Sequence, residues 1–70
     1  MSIGKAFDVD AAATASLGAH IELFRAAVLG GGDERIRQAK LNCEAALEAR
    51  LDAVVAIIHE QREHRRRLGL

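Results

Sequence analysis

The sequence predicts an all-α fold, a two-helix antiparallel hairpin whose second helix is the longer and whose fold is completed by a partner chain or by self-association. Three observations lead there. Not one of the 70 residues is a proline, the chain is broken once by Gly30-Gly31-Gly32-Asp33, and apolar residues recur at spacings of three and four on both sides of that break. A glycine run followed by an N-cap type of residue is a helix stop with an immediate restart. Spacings of three and four place side chains on one helical face.

Residues 1–8 show no helical pattern and are expected to be a flexible segment, with Ile3 and Phe7 available for docking. Asp8 and Asp10 are both suitable N-caps, because a carboxylate accepts orphan amide hydrogens and suits the positive end of the helix dipole. The first helix is then expected over about residues 9–29, with alanines supplying helix propensity. Leu17, Ile21, Phe24 and Val28 form its stripe and are expected to close the hairpin seam. Gly18 costs about 1 kcal/mol relative to alanine inside a helix. Beside Ala11, Ala15 and Ala19 it reads as a site of close helix contact.

The turn is expected at residues 30–32, with Asp33 capping a second helix that runs to about residue 66 and leaves 67–70 as a tail. Ile36, Cys43, Leu47, Leu51, Val54 and Ile58 share one face of it, with Val55 and Ile57 to either side. Glu44, Glu48 and Asp52 mark the opposite side as solvated, since like charges at helical spacing are tolerated only in water. At 1.5 Å per residue the two helices are roughly 30 and 50 Å long. The first then covers the second only to about Leu51 or Asp52. Val54, Val55, Ile57 and Ile58 project beyond it; Ile36 and Cys43 are expected in the seam with the first helix, and Leu47, Leu51, Val54, Ile57 and Ile58 are expected to meet a partner. Each such side chain is worth about 1.5–3 kcal/mol when buried, so an uncovered cluster of them calls for a partner.

The composition narrows the function classes. Ten basic residues balance ten acidic ones, so whole-molecule attraction to nucleic acid is not indicated. A single cysteine, Cys43, excludes an internal disulfide and fits a reducing cytoplasm. The apolar runs are too short to span a bilayer, and Met1–Lys5 lack the apolar block of a signal peptide. His59 and His64 flank a Glu-rich helix end, but at five residues apart they point away from each other, whereas a zinc-protease helix needs a separation of four. No third ligand converges there. Arg62, Arg65, Arg66 and Arg67 read first as a favourable positive end on the helix dipole. Cys43 reads as a buried structural thiol and His20 as a boundary histidine. The glycine run lacks the lysine and Ser/Thr of a phosphate loop. No catalytic, metal or cofactor site is expected, and the chain reads as a non-enzyme.

Gly31-Gly32-Asp33 and Ala56-Ile57-Ile58-His59, in this order and separation, resemble the small YscE/PscE-type co-chaperones of the type III secretion needle over roughly residues 20 to 60. The resemblance implies a bacterial cytoplasmic hairpin without catalytic activity. It implies a partner chaperone of tetratricopeptide-like fold, stabilised by the hairpin, and a pair that keeps the needle subunit monomeric before export. The rival reading is a homodimeric four-helix-bundle regulator that touches nucleic acid through its arginine-rich tip.

Overall fold

The computed structural model describes residues 2–69; Met1, the start of the expected flexible segment, and Leu70, the end of the expected tail, lie outside the described residues. Two helices account for nearly all of it, α1 (Ile3–Gly30) and α2 (Asp33–Arg67), packed against each other as an all-α hairpin. They are 28 and 35 residues long, and the molecule is a rod of 56 × 14 × 14 Å.

Helix α1 begins six residues earlier than the sequence predicts. Ser2, not Asp8 or Asp10, is its N-cap, and the Ser2 hydroxyl accepts from the Lys5 amide at 3.2 Å. The extra turns are held by burial, because Ala6 is fully enclosed. The segment over residues 3–8 is therefore helix rather than a loose end.

Burial along both helices follows an unbroken alternation of three and four. On α1 the enclosed or half-enclosed positions are Ile3, Ala6, Asp10, Ala13, Leu17, His20, Phe24 and Ala27. On α2 the regular series is Ile36, Ala39, Cys43, Ala46, Arg50, Ala53, Ile57 and Glu60, with Val54 and Ala56 partly covered beside it. This is the seven-residue repeat of a coiled-coil seam. Residues equidistant from the Gly31–Gly32 junction sit level across it. Arg50 confirms that register, since it lies level with Ala13 and reaches Asp10 and Thr14 on either side. At most levels an alanine faces a larger side chain: Ala6 and Ile57, Asp10 and Ala53, Ala13 and Arg50, Leu17 and Ala46, Phe24 and Ala39, Ala27 and Ile36.

This seam differs in phase from the one expected. Leu17, Phe24, Ile36 and Cys43 lie in it, but Ile21 and Val28 are 43% and 53% exposed and His20 and Ala27 take their places. Ile57, expected to face a partner, is 9% exposed and lies in the seam. The two helices meet where small residues face large ones, which allows close approach and native packing density. The bulkier branched side chains are thereby turned to the edge. The overlap is also longer than expected. Because α1 starts at Ile3, it covers α2 to Glu60, so Val54, Ile57 and Ile58 lie beside α1 and only residues 61–67 project, about 10 Å of helix.

The turn works by a different device from the one expected. Gly31 and Gly32 have φ of −99° and −84° with extended ψ, so neither uses the left-handed region. Gly32 is the N-cap of α2, and Asp33 is its first helical residue rather than its cap. Asp33 and Glu34 still favour the positive end of the α2 dipole. Gly31 donates its amide to the Ala27 carbonyl at 2.7 Å. A Cβ on Gly31 would lie 2.8 Å from that same oxygen and 2.9 Å from Arg35 Cδ, whereas one on Gly32 would meet nothing. Gly18 has no helix contact to explain it, as a Cβ there would also meet open space.

Gly31→Ala is expected to lower hairpin stability by about 1–3 kcal/mol, because the Ala27 backbone oxygen cannot move aside. Gly32→Ala is expected to cost less, within about 1 kcal/mol, since it meets no clash but alanine is a poorer N-cap than glycine. Denaturant unfolding of the two variants checks this, and equal effects would show that the Gly31 approach is not tight.

Candidate functional site

With alanines in the seam, the larger apolar side chains fall beside it, and they fall unevenly. In an antiparallel pair, the residues that directly follow Ala6, His20, Ala27, Ala46 and Ala53 lie on one common side of the seam. Those residues are Phe7, Ile21, Val28, Leu47 and Val54. Leu51 and Ile58 extend the same flank outward on α2, four residues after Leu47 and Val54. Exposure is substantial throughout: 49% for Phe7, 47% for Leu47, 54% for Leu51 and 42% for Ile58. Val54 is half-buried. The opposite flank carries Val9, Ser16 and Leu23 from α1 but Asn42, Ala49 and Ala56 from α2. On α2 it is smaller, but α1 exposes Val9 and Leu23 there, and the first flank also carries Thr14, Lys40 and Gln61. Near the turn, the apolar flank opens into a shallow depression of about 320 Å³ lined by Ile21, Phe24, Arg25, Val28 and Leu29.

Of the five residues expected to bind a partner, Leu47, Leu51, Val54 and Ile58 therefore lie together on one flank, and Ile57 lies in the seam. Phe7 joins them from α1, a placement that depends on the early start of that helix. Burying side chains of this size is worth about 1.5–3 kcal/mol each, and Phe7, Ile21, Val28, Leu47, Leu51 and Ile58 bring this gain to one flank, while Val9, Leu23, Leu41 and Val55 are exposed elsewhere. Gly18, which the hairpin does not need, lies on the same flank between Thr14 and Ile21.

The polar groups build no comparable constellation. Among the described residues, no group of three or more His, Cys, Asp or Glu is arranged to hold a metal ion. His59 and His64 are exposed on the outside of α2. Arg62, Arg65, Arg66 and Arg67 lie at the exposed C-terminal end, where positive charge suits the helix dipole, and Arg66 pairs with Glu63 at 2.9 Å. No described helix is long and apolar enough to cross a membrane.

The principal polar contact is one the sequence reading missed. Arg50 Nε donates to Asp10 Oδ1 at 3.0 Å and to Thr14 Oγ1 at 3.0 Å, and the Thr14 hydroxyl donates to the Asp10 carbonyl at 2.8 Å. The ion pair is only partly covered, with the Arg50 side chain 38% exposed. Its stabilisation is modest, about 1 kcal/mol or less. What it supplies is register, because a slip of one level would leave a charge facing apolar neighbours. The available signal was that Asp10 and Arg50 continue the three-four spacing of the alanines around them.

Two seam levels lack an alanine, Ile3 with Glu60 at the open end and His20 with Cys43 within the seam. His20 and Cys43 sit level, the thiol is free and partly buried, and His20 Nδ1 is enclosed without a hydrogen-bond partner. An enclosed unsatisfied nitrogen costs roughly 1–3 kcal/mol.

Comparison of the chain with protein-family models, with curated proteins and with solved structures gives no match.

His20→Leu is expected to raise the stability of the hairpin by about 1 kcal/mol, since it removes the unpaired nitrogen and fills the same level. Thermal unfolding reads this directly. A clear loss of stability would mean that the imidazole is doing structural work that its enclosed nitrogen does not reveal.

Proposed function

We propose that this hairpin is a non-catalytic co-chaperone that works by burial, docking its apolar flank on a larger helical-repeat protein. On this reading it acts in the bacterial cytoplasm. It stabilises a tetratricopeptide-like chaperone, and the pair keeps a type III secretion needle subunit monomeric until export. The observation that supports the docking is the clustering of apolar side chains on α2: Leu47, Leu51, Val54 and Ile58 share a flank with Phe7, while α2 offers only Asn42, Ala49 and Ala56 on the opposite one. The resemblance carried by Gly31-Gly32-Asp33 and Ala56-Ile57-Ile58-His59 supports the choice of partner. A helical-repeat protein offers a concave surface that accepts an amphipathic rod.

Ile58 is the residue on which to test it, because it is 42% exposed and its loss leaves the seam intact. Co-expression with a helical-repeat chaperone encoded beside the gene is expected to give a stable complex that also holds the needle subunit as a monomer. Ile58→Asp is expected to abolish that co-purification while the hairpin retains its helical circular dichroism. A complex that survives Ile58→Asp places the contact elsewhere, and a gene neighbourhood with no such chaperone or needle subunit overturns the co-chaperone reading itself.

A further inference from the structure

We propose that, without a partner protein, a second copy of this chain covers the apolar flank through an antiparallel α2-to-α2 contact. Three features of α2 point to a second copy as the occupant.

The first is spacing. Leu47, Leu51, Val54 and Ile58 follow one another at four, three and four residues. That series reads identically in both directions. Two copies running antiparallel therefore bring Leu47 level with Ile58 of the other copy and Leu51 level with its Val54. A two-fold interface requires such self-complementarity, with each contact made twice.

The second is charge. Glu44 lies one helical step before Leu47, and Arg62 one step after Ile58, so an acid and a base bracket the apolar stripe, with Lys40 a further step before Glu44. Antiparallel pairing sets Glu44 of each copy beside Gln61 and Arg62 of the other. A parallel arrangement would instead oppose Glu44 to Glu44 and Arg62 to Arg62. The antiparallel arrangement does bring Lys40 level with Arg65, but at the outer ends of the contact, where long side chains reach water and their repulsion is screened.

The third is area. The chain exposes 5215 Å² for a mass of 7.5 kDa. A compact monomer of that mass exposes about 4,200 Å². The excess is on the scale of the roughly 800 Å² that each partner loses in a stable interface. Part of that excess comes from the rod shape, 56 × 14 × 14 Å, and part from stripe side chains such as Leu47, Leu51 and Ile58, which are 47%, 54% and 42% exposed and not needed to close the seam.

This inference is separate from the co-chaperone reading, which is read by co-purification with a different protein and stands or falls without it. The test is sedimentation equilibrium of the purified full-length chain from low micromolar to near-millimolar concentration. A dimer of twice the 7.5 kDa chain mass is expected. Leu51→Asp is expected to give monomer throughout that range with unchanged helical circular dichroism. Glu44→Arg and Arg62→Glu are each expected to weaken dimerisation about tenfold, since each reverses two symmetry-related contacts. The double variant, Glu44→Arg with Arg62→Glu, is expected to recover the wild-type affinity, and its recovery is specific to the antiparallel register. A wild-type chain that stays monomeric overturns the proposal. So does a dimer indifferent to Leu51→Asp, or a double reversal no better than the single ones.

Discussion

The hairpin depends on one packing constraint: at most levels of the seam, an alanine on one helix faces a larger side chain on the other. Neither helix could meet the other closely with two large residues at each level, and two alanines would leave a gap. Alternation solves both problems with helix-favouring residues. It also decides where polar groups are tolerated. Arg50 crosses the seam because Ala13 leaves room level with it, and from there it reaches Asp10 and Thr14. That contact fixes register more than it adds stability.

The same constraint limits what the hairpin can be alone. Among the described residues the buried ones are Ala6, Ala27, Ala46, Ala53 and Ile57, so four of five are alanines that remove little apolar area from water. Transfer energy scales with that area. Several larger apolar side chains, Phe7, Ile21, Leu47, Leu51 and Ile58 among them, stand outside the seam on one flank, where the hairpin itself cannot bury them. Small chains without a disulfide or metal commonly meet this deficit by association. The fold and the proposed mode of action therefore have a common cause: the residues that make the two helices fit leave the adhesive ones outside.

The architecture was legible from residue patterns because its signals are strong. A proline-free chain with one glycine break and three-four spacing leaves little alternative to two helices and a sharp turn. The phase of the seam was hidden, because hydrophobicity favours Leu17, Ile21, Phe24 and Val28 over Leu17, His20, Phe24 and Ala27, while packing favours the second set. Asp10, His20, Arg50 and Glu60 occupy seam positions and mask the heptad from any reading weighted by apolarity. The start of α1 was hidden for a related reason. Gly4 and Lys5 interrupt the apolar pattern, although Ser2 is a good cap and Ala6 a good seam residue. Leu47, Leu51, Val54 and Ile58 were expected on one face with Ile36 and Cys43, left uncovered by a shorter first helix, whereas they lie beside the seam that Ile36 and Cys43 occupy, and Ile57, grouped with them, lies in it.

Adjacent residues on α2 give the most direct test of the alanine seam. Ala46 is 8% exposed and level with Leu17, and Leu47 next to it is 47% exposed. Denaturant unfolding of Ala46→Leu and Leu47→Ala, at concentrations that hold the chain monomeric, compares overpacking of the seam with trimming of the flank. The alanine seam predicts a loss of about 1–3 kcal/mol for Ala46→Leu and a change within about 0.5 kcal/mol for Leu47→Ala. The opposite ranking, with Leu47→Ala the more damaging, would contradict it and place the hydrophobic stripe, not the alanines, between the helices.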